Sequence, residues 1–373
     1  MGTRISLLPE AHRESPELGA LRARVRAFIA AQIAAGGFTP GIDTWLDGHS
    51  PAFTKALAAQ GWLGMTIPVE YGGHGRSFLE RFVVTEELLA AGAPVAAHWI
   101  ADRQAAPSLL KYGTEEQKRH YLPKIAAGEV FWAIGMSEPD SGSDLASVRT
   151  RGERADGGWK LTGTKVWTSG AHHAHAFFVL ARTEPLDTAR RHAGLSQFIV
   201  ELGSPGVQIR PIASMDGSHH FNEVHLDGVF VPDGRVLGQL GDGWTQVTSE
   251  LSYERSGPER FLSTYGLLAA MTPSADPSVG AYVARIAGLH QMSAAVAAGL
   301  ARRENVATSA AVVKVLGTTL EGDIADLADR RTAPGDELAP LVARAVTHRP
   351  GFTLRGGTNE VLRGVIAREL GLR

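Results

Sequence analysis

The chain has 373 residues, of which 44% are hydrophobic and 20% charged, with a formal net charge of −2 at pH 7 and no cysteine. These values suit a globular protein of two or three packed units, without a basic field for nucleic acid or an anionic membrane. The lack of cysteine excludes disulfides, thiolate metal sites and cysteine nucleophiles. No apolar run suits a signal peptide or a bilayer span, so we expect a cytoplasmic protein with no membrane and no nucleic-acid partner.

The first third of the chain, from about Glu17 to Val130, has helical patterns. Apolar residues recur at helical spacing in Leu18–Ala35 and Phe78–Ala91, and Tyr71–Gly75 between them predicts a turn. Leu109–Glu129 is a further helical stretch. Within it Thr114 suits an N-cap, with Glu116–Gln117 at the offset of a capping box.

The pattern changes near Phe131, where short β-rich segments begin, separated by Gly, Pro or Asp turns. The predicted strands are Phe131–Ser137, Trp159–Trp167, Ala176–Arg182, Ser196–Leu202, Val207–Pro211 and Glu223–Val231. Ala155–Gly158 reads Ala-Asp-Gly-Gly, which is typical of a hairpin turn. This region is predicted to be a compact β domain.

From about Gly243 the chain again predicts helices. Ala and Leu are frequent, or apolar residues recur at helical spacing, in Gly243–Ala270, Val279–Ala301, Ser309–Leu327 and Glu360–Leu370. The predicted connectors are Met271–Ser278, Arg331–Asp336 and the loop Arg355–Asn359. We therefore predict a helical domain at 1–130, a β domain at 131–235 and a helical bundle at 236–373.

The most informative segment is Met136–Ser169. It opens with a loop of small residues, hydroxyls and acids, Met136–Asp144, and closes with a predicted strand, Leu161–Gly170, that carries an aromatic side chain and two hydroxyls. Exposed backbone N–H groups and hydroxyls bind phosphates and polar ring edges. The segment therefore indicates a site for a large, flat, phosphorylated cofactor.

In combination, the segments Leu110–Lys118, Ser137–Asp144, Lys165–Gly170 and Gly356–Arg363 resemble those of the acyl-CoA dehydrogenases, which are FAD-dependent oxidoreductases. The resemblance runs over essentially the whole chain. It implies an α+β fold with an N-terminal helical domain, a middle β domain and a C-terminal four-helix bundle. It also implies a homotetramer or homodimer.

Two further stretches, His219–Val224 and Lys314–Leu320, resemble a bacterial branch of this family. Some members of that branch act on unusual acyl-CoAs, and some work as paired, non-identical subunits. A heteromer is therefore open for this chain. The family's Arg-x-x-Phe element, which reaches a neighbour's FAD, is not recognisable between Met271 and Gln291.

The resemblance implies FAD as the cofactor and assigns a role to each matching residue. Ser143 matches the position at the FAD pyrophosphate and is also assigned to the substrate. Met136 and Ser137 match the pyrimidine edge of the flavin, and Trp167 matches the aromatic that covers one side of it. Thr168 and Ser169 match positions near N5, the hydride acceptor. The remaining implied FAD contacts are Ile134, Gly356, Gly357, Thr358, Asn359 and Glu360.

Each of these residues also has a plainer interpretation. Serines such as Ser143 are common in turns, and a tryptophan such as Trp167 is most often a core residue of a β domain. The Gly356–Asn359 loop is also what a helix start with a Thr or Asn cap looks like, although a helix N-terminus is itself an anion site.

The same loop departs from the family pattern. Many members place a catalytic glutamate directly before the Gly-Thr pair, where this chain has Gly356, and no Asp, Glu or His occurs between Leu354 and Thr358. Either the chain is inactive or its base comes from elsewhere. In part of the family a glutamate before an arginine on the first bundle helix has that role, and Glu254 matches it. Its alternative is a surface or ion-paired glutamate.

Arg255 and Ser252 are predicted on the substrate side, with an internal salt bridge as the alternative for Arg255. The implied reaction is α,β-dehydrogenation of an acyl thioester, on CoA or on a carrier protein. Glu254 would take the α proton, the β hydrogen would pass as hydride to flavin N5, and an electron-transfer flavoprotein would accept the electrons. The alternatives are a non-catalytic partner subunit of a heteromeric dehydrogenase and a flavin oxidase of the same fold. The net charge disfavours a DNA-binding relative.

Five histidines lie close together in the sequence in two groups: His172, His173 and His175, and His219 and His220. Such spacing can bind a metal ion, but no carboxylate lies at a convincing offset. We interpret all five as loop or surface residues and expect no metal site.

Overall fold

The computed structural model describes residues 9–255, 257–273 and 276–372, without the side chains of 250–254. In these residues the α-helices are α1 (Pro16–Ala34), α2 (Thr44–Asp47), α3 (Pro51–Ala59), α4 (Phe78–Ala90), α5 (Ala96–Ile100), α6 (Ala106–Tyr112), α7 (Glu115–Ala126), α8 (Gly243–Glu254), α9 (Tyr265–Met271), α10 (Pro277–Ala301), α11 (Ala307–Asp329), α12 (Ala339–Leu354) and α13 (Asn359–Glu369). None of these helices is long and apolar enough to cross a membrane.

The start of α7 follows from two residues that satisfy its free backbone N–H groups. The Thr114 hydroxyl accepts from the Gln117 N–H at 3.2 Å, and the Gln117 side chain accepts from the Thr114 N–H at 3.1 Å. Such a capping box stabilises a helix because its first N–H groups have no partner within the helix. The predicted cap at Thr114 is confirmed.

Two helix predictions need correction, and one helix was not predicted. The predicted helix Gly243–Ala270 is interrupted: α8 ends at Glu254, a 3₁₀ turn covers Pro258–Arg260, and α9 follows. Proline lacks a backbone N–H and clashes with the preceding helical turn, which explains a break at Pro258. Leu109–Glu129 is likewise divided at Gly113, whose backbone is extended. Helix α12 was not predicted at all.

The strands are β1 (Trp132–Gly135), β2 (Arg151–Ala155), β3 (Gly158–Lys165), β4 (Ala176–Arg182), β5 (Leu195–Glu201), β6 (Val207–Ile212), β7 (Phe221–Pro232) and β8 (Val236–Leu237). They form one sheet in the order β6-β7-β3-β2-β4-β5-β8, and β1 pairs in parallel with β4. Strands β2 and β3 form the predicted hairpin, with Ala155 opposite Gly158. Helices, strands and helices thus follow one another along the chain, and the predicted α+β layout is confirmed.

Contacts divide the described chain into two compact units. The helical unit comprises the described parts of Met1–Gly48, Arg76–Val95 and Ser252–Arg373, and the β unit comprises His49–Gly75 and Ala96–Leu251. The predicted domain boundaries at 130 and 235 stay predictions.

The core of the β unit lies on both faces of strand β4. Phe177 and Val179 lie in one apolar cluster with Phe198, and Phe178 lies in another with Leu109 and the helices α6 and α7. Successive side chains of a strand point to opposite faces, so a central strand covered on both sides is apolar throughout.

The helical unit is organised around α11, which packs against α10, α12 and α13. Leu320 and Ile324, one turn apart on α11, are both fully buried. Helix α4 packs against α1 and α10 in the same unit. Burial of these helix faces, rather than helix propensity alone, stabilises such a bundle.

Candidate functional site

The two halves of the Met136–Ser169 segment lie side by side in the β unit. Ser137 follows β1 and Val166 follows β3, and the Val166 N–H donates to the Ser137 carbonyl at 2.9 Å. Ile134 lies half-buried on β1, and Met136 is half-buried after it. The structure therefore places the predicted edge residues Met136 and Ser137 next to the segment that carries Trp167.

Trp167 lies in a turn and not at the end of a strand, because β3 stops at Lys165. Its φ is 58°, in the left-handed region that few side chains adopt, and its side chain is 57% exposed. The Phe221 ring meets it edge-on, with the centroids 5.6 Å apart. A large aromatic held out into solvent in an unfavourable backbone conformation is unlike a core tryptophan and suits stacking on a planar ligand.

Asn222 holds the residues that follow Trp167, and the sequence analysis did not assign it. The Thr168 N–H donates to the Asn222 carbonyl at 3.0 Å, and the Asn222 amide Nδ2 donates to the Thr168 carbonyl at 3.1 Å. Asn222 is fully buried. Asn222 lies within the stretch His219–Val224 that resembles the family, and this resemblance was the only sequence feature that pointed to it. The spacing of residues does not show that its carboxamide binds the Thr168 backbone.

The loop Ser137–Asp144 is closed by its own hydrogen bonds. The Ser141 hydroxyl donates to the Asp144 carbonyl at 2.9 Å, and the backbones of Glu138 and Ser141 pair with each other. These bonds leave Ser143 exposed. The Thr168 hydroxyl is buried and has no hydrogen-bond partner among the described residues. An exposed hydroxyl loop, an exposed aromatic and a free buried hydroxyl fit a cofactor that is planar at one end and phosphorylated along its length.

The second predicted group of cofactor residues lies in the helical unit. Gly356 and Gly357 have φ values of 69° and 87°, so both require the left-handed region. Thr358 caps α13, where its hydroxyl accepts from the Val361 N–H at 3.2 Å. The Arg255 Nε donates to the Gly356 carbonyl at 3.1 Å. The loop therefore adopts a left-handed backbone conformation that favours glycine at both positions. It is also hydrogen-bonded to Arg255, the residue that follows α8.

The Asn359 side chain is hydrogen-bonded within the helical unit. Its side chain is buried, and its Oδ1 accepts from the Lys314 Nζ at 2.8 Å and from the Thr318 hydroxyl at 3.2 Å. Glu360, the next residue, is exposed in the first turn of α13. Its pKa is lowered by hydrogen bonds from its own backbone N–H and from Thr358. The Asn359 carboxamide therefore already has partners within the helical unit.

Glu254 is the last residue of α8, and Ser252 lies in the same helix. The side chains of both lie outside the described residues. Of the predicted site, Ile134, Met136, Ser137, Ser143 and Trp167–Ser169 belong to the β unit, and Arg255 and Gly356–Glu360 belong to the helical unit.

Four histidines of the β unit form a row of neighbouring rings. The centroid distances are 3.9 Å from His49 to His173, 3.9 Å from His173 to His172 and 4.3 Å from His172 to His219. Burial and the neighbouring imidazoles lower the pKa of His49 and of His172 to about 4. His49 and His172 are therefore uncharged near neutral pH.

Of the five histidines singled out in the sequence, His220 alone is buried. It lies in the loop that precedes β7, in keeping with its interpretation as a loop or surface residue, and its ring centroid lies 4.0 Å from that of Phe221. Among the described residues, no group of three or more His, Cys, Asp or Glu side chains could hold a metal ion.

Two family models match the chain. Residues 15–129 match "Acyl-CoA dehydrogenase, N-terminal domain", and residues 133–229 match "Acyl-CoA dehydrogenase, middle domain". Both belong to the family that the sequence motifs predict.

Similar proteins include two of Mycobacterium tuberculosis. Acyl-CoA dehydrogenase FadE34 is 45% identical over 204 residues, and the match covers 54% of this chain but 28% of that protein. Acyl-CoA dehydrogenase IpdE1 is 36% identical over 379 residues, covering 94% of this chain and 97% of that protein. The chain therefore spans about a quarter of one relative and nearly all of the other.

Solved structures with the same fold include two whose names each contain two proteins. The Tcur3481-Tcur3483 steroid ACAD has a TM-score of 0.84 at 29% identity, covering 99% of this chain and all of that one. The ChsE4-ChsE5 complex from Mycobacterium tuberculosis has a TM-score of 0.78 at 29% identity, with full coverage of both chains.

Proposed function

This chain belongs to the acyl-CoA dehydrogenase family, and on that premise we propose that it removes two hydrogens from the Cα–Cβ bond of an acyl thioester. FAD is the cofactor of the family and, when bound, supplies the hydride acceptor. The chain's own residues bind and orient the flavin and the thioester, and a carboxylate takes the α proton.

One observation carries the proposal: the exposed Trp167 stands beside the Met136–Ser137 edge, joined through the 2.9 Å bond from Val166 to Ser137. Trp167 would cover the flavin, and the buried hydroxyl of Thr168 would donate to a ring atom. Met136, Ser137 and Ser143 would meet the pyrimidine edge and the phosphates, where hydroxyl and N–H donors stabilise negative charge.

Glu254 is our proposed base. Arg255, the next residue, reaches the Gly356 carbonyl, so the end of α8 lies at the loop where many relatives place their glutamate. Gly356 itself cannot supply a base, and its left-handed φ would strain a glutamate there by roughly 1–2 kcal/mol. Arg255 and Ser252 would lie on the substrate side.

The substrate class and the acceptor follow from the family. We propose an acyl-CoA, with a carrier-protein thioester as the other possible form, and an electron-transfer flavoprotein as the acceptor. The similarity to a steroid acyl-CoA dehydrogenase structure, which covers 99% of this chain, supports a bulky, ring-bearing acyl group.

A second candidate is a subunit of a two-protein dehydrogenase. The missing loop glutamate at Gly356 favours it, and so do the two solved structures named for a pair of proteins. In that case the chain alone would bind flavin weakly and need a non-identical partner, whereas a homotetramer or homodimer would be yellow and active by itself.

The test is an anaerobic screen of the purified protein against a panel of acyl-CoAs, in which the loss of the yellow flavin absorbance is measured after each acyl-CoA is added. Glu254→Gln should lower the rate of bleaching by at least about 1,000-fold and leave FAD bound. Glu337→Gln, at an exposed glutamate of the same unit, is the matched control.

Bleaching that survives in Glu254→Gln contradicts the assignment of the base. A colourless protein that turns yellow and active only after a second chain is added supports the two-protein candidate. Peroxide formation without an electron carrier would identify an oxidase instead.

A further inference from the structure

Glu138 and Lys165 form a buried ion pair inside the β unit. The Lys165 Nζ lies 2.8 Å from the Glu138 Oε1, and their side chains are 0% and 7% exposed. Neither residue was assigned a role from the sequence. Glu138 lies in the loop that follows Ser137, and Lys165 is the last residue of β3, two positions before Trp167.

The pair has contacts with three further backbone positions. The Lys165 Nζ also donates to the Met136 carbonyl at 3.1 Å. The Glu138 carboxylate accepts from the Arg149 N–H at 2.6 Å and from the Thr150 N–H at 2.9 Å. One ion pair thus joins the end of β1, the start of β2 and the end of β3.

The packing around Lys165 leaves little room for movement. A Cβ added at Gly135 would lie 2.8 Å from the Phe177 ring and 3.2 Å from the Lys165 Cγ. Because Gly135 directly precedes Met136, the stem of Lys165 packs closely against the backbone that leads into the proposed flavin edge. A shift of the ammonium group would therefore move the Met136 carbonyl.

A buried ion pair of this kind is a poor means of stabilising a fold. Desolvation of the two charges offsets most of their attraction, and apolar residues of similar volume are often as stable. Burial lowers the pKa of Lys165 to about 8, and the Glu138 carboxylate opposes that shift. What the pair supplies beyond stability is a fixed position for the backbone atoms that it binds.

We propose that Glu138 and Lys165 are positioning residues for the flavin, holding the Met136–Ser137 edge at a fixed distance from the Trp167 turn. The proposal rests on the proposed function, which assigns those two segments to FAD. It adds that the spacing between them depends on the ion pair, so FAD affinity and flavin electronics depend on two residues that do not touch the cofactor.

The two charges should also act on the flavin with opposite signs. In Lys165→Met the Glu138 carboxylate keeps its two backbone N–H donors, and at a pH high enough to ionise it without Lys165 it disfavours the extra negative charge of a reduced flavin, so the flavin is studied at that pH. In the double variant Glu138→Gln/Lys165→Met both charges are gone and the net field returns towards that of the wild type, while the anchor on the Met136 carbonyl stays lost.

The experiment uses the full chain, stripped of flavin and titrated with FAD while protein fluorescence is followed. Lys165→Met and the double variant should each bind FAD at least about tenfold more weakly, which is about 1.4 kcal/mol. Arg154→Met is the matched control, because Arg154 pairs with Asp233 in the same unit but both side chains are about half exposed. It should leave FAD binding unchanged.

The reduction potential of the bound flavin is the second measurement. It should become more negative in Lys165→Met and return towards the wild-type value in the double variant, although FAD stays weakly bound. A merely structural role would lower affinity in both variants without this reversal. The double variant contains no unpaired buried charge and should therefore fold. If Lys165→Met fails to fold, the FAD affinity of the double variant still tests the proposal.

Trp167→Ala distinguishes a wrong flavin site from a wrong positioning role. If it leaves FAD affinity unchanged, the proposed flavin site is wrong. If it weakens FAD binding while Lys165→Met and the double variant bind as tightly as Arg154→Met, the site stands and the positioning role is overturned. The role is also overturned if the potential is the same in Lys165→Met and in the double variant.

Discussion

Arg355 donates from Nη1 to the Oδ2 of Asp43 at 2.7 Å, across 312 positions of the sequence. Asp43 is 1% exposed, and the His348 Nδ1 lies 3.0 Å from the same oxygen. The Arg355 guanidinium also lies over the Trp45 ring, 5.0 Å from its centroid. Because Arg355 directly precedes Gly356, this contact holds one end of the glycine loop.

We expect Asp43→Asn to destabilise the protein by about 3 kcal/mol, because it leaves the half-buried guanidinium of Arg355 without its charge partner. Urea unfolding measures the change. Asp140→Asn is the matched control, since Asp140 pairs with Arg149 but both side chains are largely exposed. An unchanged unfolding midpoint in Asp43→Asn would show that the pair does not contribute.

Glu321 should make the helical unit less stable as pH rises. Burial raises its pKa to about 7, which the hydrogen bond from Ser263 opposes, against about 4.5 in an unfolded chain. The folded state therefore binds more protons between these values. Its contribution is complete below pH 4.5 and is lost as pH rises through 7, by roughly 3 kcal/mol.

Glu321→Gln should remove that slope, so that the variant matches the wild type near pH 4.5 and exceeds it at pH 8. Urea unfolding at a series of pH values tests this. Asp43 does not interfere: Arg355 and His348 overcome its burial and lower its pKa to about 2, so its contribution is constant above pH 4. Equal slopes in the variant and the wild type would contradict the prediction.

Trp167→Gly should separate folding from cofactor binding. Glycine adopts a φ of 58° without strain, and an exposed tryptophan contributes little to the core, so the flavin-free protein should be at least as stable as the wild type. FAD affinity should fall because the aromatic cover is gone. Thermal unfolding without FAD and an FAD titration give the two readouts.

Trp159→Gly is the contrasting variant, because Trp159 is buried on β3 with an ordinary strand backbone. There the same change should cost about 3–5 kcal/mol from lost core packing. A large loss of stability in Trp167→Gly as well would mean that Trp167 is a core residue.

Asn359→Ala should act on the fold and not on chemistry. Lys314 is fully buried, and its Nζ donates to the Asn359 Oδ1 and, at 2.9 Å, to the Thr353 carbonyl. Loss of one acceptor of a buried ammonium should cost about 2 kcal/mol. Asn359→Asp keeps an acceptor and should retain most of the stability in urea unfolding. Equal losses in the two variants would contradict this account.

Local signals account for what the sequence predicted well. The Thr114 cap and the Ala155–Gly158 hairpin are each settled by residues a few positions apart, and both are present. Strand β2 was missed because Arg151-Gly152-Glu153-Arg154 lacks the β-branched alternation of its neighbours, and its pairing with β3 compensates. Helix α12 was missed because Pro340, Pro350 and Gly351 interrupt the helical pattern.

The family and its FAD cofactor were predicted correctly, since motifs in a fixed order are visible in one chain. The residues that hold the site in place were not predicted. Asp43 and Arg355, or Asn222 and Thr168, meet only after the chain has folded, and no period or spacing marks them beforehand. The individual site residues stay predictions.

The row of histidine rings makes the β unit less stable in acid. Burial and neighbouring imidazoles hold the pKa of His49 and of His172 near 4, below the 6.5 of an exposed histidine, so the folded β unit takes up fewer protons than its unfolded chain. Its stability therefore falls as pH drops from 6.5 towards 4, whereas Glu321 gives the helical unit the opposite trend. In a calorimeter, the unit that melts first should depend on the buffer: the β unit in acid, the helical unit in mild alkali.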